Sequence, residues 1–396
     1  MAVLGRELMG RGHRVTFFGF PDMAPRLPPR LAFQAVGEND QPLGSLEPYL
    51  RRLSRLGGPL SLLRLIRDLA RFADVICRDL PSVLDRLAPD ALIIDQTDAA
   101  SSLVATALNI PFVNVANALP LNLEPGVPPP VLPWPYDPSR KGLRRNRGGY
   151  RVARLVERPI TRVIRRHAQR LGRPDIRFAD ESWSERLQIT QCVRGLDFPR
   201  EHLPATFHYV GPFREADAPL DFELPADGKP VIFCSLGTLQ GSRATMFRAV
   251  AAAAADLDVT LVIAHGGLLP AAEIARLPGR PIVRSYVPQR ALLSRCALAV
   301  THAGFNTVMD SLSFGVPMVA LPIAFEQPAT GARLERAGAA VVLQRRRTKP
   351  RVREALRAVL ERPEYRASAG RLATEVAGAG GVRRAADLVE AIVPNS

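Results

Sequence analysis

Residues 301–317, THAGFNTVMDSLSFGVP, gather polar side chains directly after an apolar run. His302 follows the predicted strand, the chain turns through small residues, and Asn306 and Thr307 open the next predicted helix. Ligands of open α/β sheets bind at the carboxyl ends of strands, and unpaired N–H groups at a helix N-terminus attract phosphate. Asp310, one helical turn beyond Asn306, is placed to accept hydrogen bonds from ribose hydroxyls. The spacing therefore predicts a nucleotide site.

Two flanking stretches predict the same kind of ligand. Upstream, YVPQ brings Tyr286, whose ring can stack on a base, and Gln289, whose amide can read the base edge. Downstream, FEQPATG puts Glu326 and Gln327 after the next predicted strand, where they can hold sugar hydroxyls. Each of these residues taken singly also fits an ordinary structural role, but their order and spacing together favour a sugar-nucleotide site.

Parallel strands are needed to bring these stretches to one edge of a sheet. Nine short apolar runs separated by helical patterns are typical of a doubly wound α/β fold. The runs are HRVTFFGF, DALIIDQ, PFVNVAN, KPVIFCSLG, VTLVIAHG, RPIVRSYV, ALAVTHAG, VPMVALP and AAVVLQ. We predict two such domains, residues 1–212 and 231–380, joined by a polar linker at 213–230. The last segment, 381–396, is predicted to be a helix that returns to the N-terminal domain.

The predicted N-terminal domain opens on a helix, MAVLGRELMG, whereas doubly wound domains usually open on a strand. Our hypothesis is that the sequence starts at an internal methionine and that an upstream strand and loop precede it. The alternative is a short form that binds a sugar nucleotide without efficient transfer. A proline-rich stretch, residues 119–140, is predicted to be a long irregular surface loop with apolar and aromatic side chains.

The combination YVPQ…THAGFNTVMDSLSFGVPMVALPIAFEQ resembles the donor-binding signature of family 1 UDP-glycosyltransferases. These enzymes have the GT-B fold, in which two Rossmann-like domains face a central cleft. The resemblance implies uracil stacking by Tyr286, diphosphate contacts by His302, and a ribose contact by Asp310. It also implies that SLGTLQG begins the donor domain. The donor-binding set it implies is Ser235, Gly237, Thr238, Tyr286, Val287, Gln289, His302, Gly304, Asn306, Thr307, Asp310, Glu326 and Gln327.

Stretches of the N-terminal half, among them LIIDQTDAA and NALPLNLEPGVPPPVLPW, are similar to bacterial zeaxanthin glucosyltransferases. This similarity runs from residue 1 to residue 393. It implies transfer of a hexose, glucose in our expectation, from UDP-glucose to a hydroxyl of an apolar acceptor such as the carotenoid zeaxanthin. The family also implies inversion, giving a β-glucoside from an α-linked donor.

The same resemblance implies a histidine base after the first strand, oriented by an aspartate at a later strand tip. Asp95 in LIIDQTD matches that aspartate, and no histidine of this sequence matches the base. Asp95 has an alternative role as a helix N-cap. We expect neither a metal nor a further cofactor, because Asp256-Leu257-Asp258 precedes a strand and is interpreted as a turn. His302 and the helix N-terminus would then hold the departing diphosphate.

Composition limits the setting and the partners. The chain has 396 residues, a formal net charge of +15 and four scattered cysteines, which suggest buried free thiols in a cytoplasmic protein. Residues 141–177 are arginine-rich, with apolar residues at helical spacing. We expect this segment to pack its apolar face inward, and the alternative is peripheral contact with the inner face of a membrane.

Two other functional classes are compatible with parts of the sequence. UDP-N-acetylglucosamine 2-epimerases share the GT-B architecture, but the Glu326-Gln327 pair and the proline-rich loop favour a transferase. A catalytically silent UDP-sugar-binding protein is favoured by the missing histidine. Nucleic acid is a poor candidate partner, because the arginines are not interleaved with aromatic residues in a known module.

Overall fold

The computed structural model describes residues 1–54, 59–215, 218–237 and 243–393. The C-terminal half is a six-stranded parallel sheet in the order β12-β11-β10-β7-β8-β9. Its strands are β7 Val231–Ser235, β8 Thr260–Ala264, β9 Ile282–Arg284, β10 Leu298–Thr301, β11 Met318–Ala320 and β12 Ala340–Val342. The strands are almost wholly apolar because helices cover both faces of the sheet. This is the doubly wound architecture predicted for residues 231–380.

The N-terminal half contains two separate parallel sheets in the described chain. A two-stranded sheet pairs β1 and β2, and a four-stranded sheet has the order β3-β4-β5-β6. The strands are β1 Thr16–Gly19, β2 Ala32–Ala35, β3 Leu92–Asp95, β4 Phe112–Ala116, β5 Gln188–Thr190 and β6 Phe207–Tyr209. All nine predicted strands are present, while β2, β5 and β6 were not predicted.

A gap separates β1 from β3. A cavity of about 880 Å³ is lined by successive residues of both strands, 15–18 and 92–95, together with apolar residues of the first helix. In the C-terminal sheet the corresponding position, between β8 and β10, is occupied by β7. The two halves therefore share one strand order, and the N-terminal half lacks the central strand among its described residues.

Fourteen α-helices are described. Those of the N-terminal half are α1 Ala2–Gly10, α2 Leu46–Ser54, α3 Pro59–Leu87, α4 Ala99–Ala107, α5 Arg140–Val156 and α6 Arg158–Arg170. Those that follow are α7 Ala244–Ala254, α8 Ala271–Ile274, α9 Gln289–Leu293, α10 Phe305–Ser313, α11 Gln327–Arg336, α12 Lys349–Glu361, α13 Pro363–Gly378 and α14 Gly381–Glu390. None of the described helices combines the length and the apolar character needed to cross a bilayer.

Apolar packing connects the two halves. Leu119 and Leu196 of the N-terminal half share a core with Phe233 and Leu372 of the C-terminal half. Helix α14 packs against α1 and the four-stranded sheet. The described residues of 213–230 form neither helix nor strand. The same is true of the proline-rich loop up to residue 138. The domain boundaries themselves stay predictions.

The apolar residues of 141–177 divide into two groups. On α6, Ile164 is fully buried and Ile160 packs beside it, as expected for a helix that turns its apolar face inward. On α5, however, Val152 is 61% exposed and Leu155 is 53% exposed. The prediction of inward packing is therefore wrong for α5, because the buried residues of this helix are Gly142 and Asn146.

Candidate functional site

A cavity of about 510 Å³ lies at the carboxyl ends of five strands of the C-terminal sheet. Its volume falls in the range of roughly 300–1,000 Å³ that is usual for ligand sites. All but two of the predicted donor-binding residues line it. These are Ser235, Gly237, Tyr286, Val287, Gln289, His302, Gly304, Asn306, Thr307, Glu326 and Gln327. Thr238 lies outside the described residues, and Asp310 lies behind the lining.

His302 is fixed in the cavity wall by two glycines. A Cβ atom at Gly304 would lie 2.3 Å from its Nε2, and one at Gly237 would lie 2.7 Å from its Cε1. Any side chain at either position would displace the imidazole. Burial lowers the pKa of His302 to about 4, so the ring is neutral near pH 7. Its Nδ1 is enclosed by the protein and makes no well-formed hydrogen bond in the described chain, while the backbone of Ser235 lies close enough to the ring to oppose the lowering of its pKa.

The turn between β10 and α10 and the first residues of α10 line the cavity. Ala303 adopts φ 63°, an unusual conformation for a residue with a side chain and one that is often found at functional sites. Helix α10 starts at Phe305, one residue before the earliest predicted start, with Gly304 as its N-cap. Gly304 has no side chain that could cap the first N–H groups of the helix. They remain suited to binding an anion.

Asp310 is held by protein groups instead of facing the cavity. Its Oδ1 accepts a hydrogen bond from Nε of Arg214 at 2.5 Å, and its Oδ2 accepts one from Nε2 of Gln289 at 2.6 Å. Nη2 of Arg214 also donates to Oδ1 of Asn306 at 3.2 Å. The predicted ribose-binding carboxylate is therefore occupied by Arg214 in this structure. Sequence reasoning missed Arg214, which lies 96 residues from Asp310.

Tyr286, Glu326 and Gln327 lie on the walls of the same cavity. The ring of Tyr286 is 66% exposed while its hydroxyl donates to the Gly266 carbonyl at 3.0 Å, which leaves a ring face free for stacking. Oε1 of Gln327 accepts from the N–H groups of Ile323 and Ala324, both at 2.9 Å. Its amide nitrogen is thus the group available to a ligand. Burial raises the pKa of Glu326.

Asn117, at the tip of β4, belongs to the N-terminal half but lines this cavity. It was not predicted from the sequence. Its Nδ2 donates to Oδ2 of Asp95, and its Oδ1 accepts from Nε2 of Gln191, both at 2.5 Å. Asp95 also accepts from the backbone and the hydroxyl of Thr97. The only sequence signal for Asn117 was its position at the end of an apolar strand.

Asp95 does not line the cavity at the carboxyl ends of the C-terminal strands. It borders the gap between β1 and β3 instead. The N-cap of α4 is Asp98, so Asp95 does not have that alternative role. None of the hydrogen bonds described for Asp95 comes from a histidine; His13, for example, pairs with Glu390 at 2.9 Å.

The two aspartates of the predicted turn at 256–258 and the four cysteines have structural roles. Asp256 pairs with Lys349 and Arg353, and Asp258 pairs with Lys229, on the protein surface. The four cysteines are buried and unpaired with one another, and burial raises the pKa of each thiol. In the described ranges, no group of three or more His, Cys, Asp or Glu is arranged to hold a metal.

Residues 165–375 match the family model described as UDP-glucoronosyl and UDP-glucosyl transferase. The zeaxanthin glucosyltransferase of Pantoea ananas is 37% identical, covering 98% of this chain and 92% of the relative. That of Pseudescherichia vulneris is 38% identical, covering 99% and 94%. Among solved structures, the calicheamicin glycosyltransferase CalG4 has the same fold with a TM-score of 0.78 at 23% identity, covering 99% of this chain and 94% of that chain.

Proposed function

Since the chain belongs to the UDP-glucoronosyl and UDP-glucosyl transferase family, we propose that it transfers glucose from UDP-glucose to a hydroxyl of zeaxanthin, with inversion. The donor part of the proposal depends on one observation. A single cavity at the carboxyl ends of β7 to β11 contains nearly all of the residues expected to hold a sugar nucleotide. The acceptor part is supported by the two zeaxanthin glucosyltransferases, which are 37% and 38% identical to this chain.

Each part of the donor has a suitable partner in the proposed complex. The diphosphate would lie against His302 and the uncapped start of α10, where N–H groups stabilise the charge that develops as the glycosidic bond breaks. Tyr286 would stack on the uracil. Glu326 and the amide nitrogen of Gln327 would bind the glucose hydroxyls. This arrangement uses protein donors for the leaving group, so the proposal requires no metal or further cofactor.

Ribose binding requires a rearrangement or a shared carboxylate, because Arg214 and Gln289 already occupy the two oxygens of Asp310. A carboxylate oxygen has two lone pairs, so Asp310 can accept from a ribose hydroxyl while it keeps one protein donor. We propose that Arg214 and Gln289 orient Asp310 and that the ribose shares it.

The acceptor would approach from the N-terminal half, where Asn117 and Ala118 line the donor cavity. The proline-rich loop presents Leu123 and Val131, which are 41% and 53% exposed. Exposed aliphatic groups suit an apolar acceptor that resides in a membrane, and a cytoplasmic enzyme with peripheral membrane contact fits that requirement.

A second candidate function is binding of a UDP-sugar without efficient transfer. It is favoured by the surroundings of Asp95, whose described donors are Thr97 and Asn117 and not a histidine. An inverting displacement needs a base that takes the proton of the acceptor hydroxyl. Binding and turnover must therefore be measured separately.

The test combines calorimetric binding of UDP with detection of glucoside by chromatography and mass spectrometry. The protein is incubated with UDP-glucose and detergent-dispersed zeaxanthin, and proton NMR of the product gives the anomeric configuration. Glucoside with a β linkage supports the proposal, whereas UDP binding without product supports the second candidate. Absence of UDP binding contradicts both. His302→Ala should lower UDP affinity and turnover, while His202→Ala, at an exposed site outside the cavity lining, serves as the matched control.

A further inference from the structure

Helix α5 carries a row of basic side chains on one side. Lys141, Arg144, Arg147 and Arg151 follow one another at intervals of three or four residues, and such residues lie on one side of a helix. All four are exposed. Leu155 continues the row after Arg151, so the basic row ends in an exposed aliphatic side chain. We call these residues, together with the adjacent Val152, the α5 face.

The opposite side of α5 is packed against the proline-rich loop. Nδ2 of Asn146 donates to the Pro125 carbonyl at 3.0 Å, and the hydroxyl of Tyr150 donates to the Val127 carbonyl at 2.8 Å. A Cβ atom at Gly149 would lie 2.7 Å from the Trp134 ring, which shows how closely helix and loop approach. The orientation of α5 is therefore fixed, and the α5 face must point away from the loop.

The basic residues of the α5 face have few counter-charges in the described chain, although Lys141 lies within electrostatic reach of the Asp137 carboxylate. Within the described chain, Lys141, Arg144, Arg147 and Arg151 take part in no ion pair, unlike Arg154 on the inner side, which pairs with Asp180 at 2.7 Å. Four unpaired cations in one row produce a strong local positive potential. The ligand of this surface should therefore be an extended anion.

We propose that the α5 face docks onto an anionic lipid bilayer. Basic side chains attract the charged headgroups, and aliphatic side chains on the same face enter the boundary between headgroups and acyl chains. Leu155 and Val152 have that position and are 53% and 61% exposed. A nucleic acid would use the same cations but gains little from aliphatic side chains, since bases stack on aromatic rings. The two aliphatic residues thus favour a bilayer.

This inference deepens the proposed function, because docking through α5 would hold the adjoining proline-rich loop beside a membrane that contains the acceptor. It does not depend on catalysis. Vesicle binding without glucoside formation would support the docking surface and count against the proposed function. Glucoside formation from a detergent-dispersed acceptor without vesicle binding would have the reverse meaning.

The experiment is co-sedimentation of the full chain with vesicles of phosphatidylcholine, alone or with about one third phosphatidylglycerol. Binding should require the anionic lipid and should weaken as salt rises from about 0.1 to 0.5 M. Each basic residue near an anionic surface contributes about a fivefold factor in partitioning, so Arg144→Gln, Arg147→Gln and Arg151→Gln together should weaken binding roughly 100-fold. Leu155→Ser with Val152→Ser should lower it by about tenfold at unchanged charge.

A matched control removes the same charge from another surface. Arg345→Gln, Arg346→Gln and Arg351→Gln change exposed arginines in the C-terminal half and should leave vesicle binding unchanged. An equal loss in this control would attribute binding to net charge alone and overturn the proposal. The proposal is also overturned if the wild-type chain does not bind anionic vesicles or if the serine variant binds them as well as the wild type. Binding to single-stranded RNA but not to vesicles would overturn it too. UDP binding by every variant verifies that the fold is intact.

Discussion

Replacing Asp197 with asparagine tests whether a buried charge cluster holds the two halves together. Asp197 follows β5, and its Oδ1 accepts a hydrogen bond from Nε of Arg333 on α11 at 2.8 Å. Its Oδ2 accepts from Nε of Arg200 and from the hydroxyl of Tyr209, both at 2.9 Å. The side chains of Asp197 and Arg333 are 0% exposed, and that of Arg200 is 2% exposed. Because Arg333 belongs to the C-terminal half, the cluster crosses the interface.

The expected magnitude follows from this burial. Asparagine keeps the size of the side chain but removes its charge, which leaves two buried guanidinium groups without a counter-charge. Removing one partner of a buried ion pair costs about 3–5 kcal/mol in the free energy of unfolding. For a folding unit of 150–250 residues, 1 kcal/mol corresponds to about 2–4 °C in Tm. The substitution should therefore lower the Tm by roughly 6–20 °C.

Thermal unfolding followed by circular dichroism and tryptophan fluorescence measures this change. Trp134 and Trp183 both lie in the N-terminal half, so fluorescence reports that half while circular dichroism reports both. Asp256→Asn is the matched control, because Asp256 also pairs with two cations but on the surface, where solvent screens the interaction. If Asp197→Asn melts like this control, the cluster does not stabilise the interface and the reasoning is refuted.

The same cluster predicts a pH dependence. Burial alone would raise the pKa of Asp197, but Arg200 and Arg333 outweigh it and hold the pKa below its usual value. A carboxyl whose pKa is lower in the folded state stabilises the protein above its unfolded pKa of about 3.9 and loses that contribution as pH falls through the folded value. The difference in Tm between wild type and Asp197→Asn should thus be constant near neutral pH and shrink below about pH 4.

Three further outcomes are expected. Gly304→Ala should weaken UDP binding roughly 10–100-fold, because the added methyl would collide with His302. Gly148→Ala, where the added methyl meets no atom within 4 Å, should leave UDP binding unchanged. Calorimetry that finds equal UDP affinities for the two variants would contradict the packing argument. Arg214→Gln should raise the KM for the donor about tenfold with kcat little changed, by releasing Asp310, and a lower KM would instead mean that the arginine competes with ribose. An apolar strand-forming extension fused ahead of α1 should fill the cavity between β1 and β3 and raise the Tm, and a polar extension of equal length should not.

Sequence reasoning located the features that depend on short stretches of chain. Nine strands were predicted because each is a nearly continuous apolar run. β2, with the sequence AFQA, β5, with QIT, and β6, with FHY, were missed because strands of three or four residues with polar members carry no clear periodicity. The gathering of most predicted site residues around one cavity was predictable for the same reason, since successive strand tips of a parallel sheet meet at one edge.

Contacts between distant parts of the chain were not predictable in this way. The partner of Asp310 is Arg214, and the residue that brings the N-terminal half to the donor cavity is Asn117. Nothing local to either residue indicates its partner, because the pairing depends on how the halves pack. Likewise, helical spacing placed Val152 and Leu155 on an apolar face, but only tertiary packing decides whether that face is covered.

The shared strand order of the two halves supports the proposal that donor binding and turnover are separable properties. In the C-terminal sheet, the central strand β7 lies between β8 and β10, and its tip supplies Ser235 and Gly237 to the donor cavity. The equivalent position in the N-terminal half is the cavity between β1 and β3, and Asp95 borders it. A strand in that position would end beside Asp95, where a base acting on the acceptor is required. Under the proposed function, donor binding would therefore depend on the C-terminal half, and turnover would depend on the group that occupies the gap.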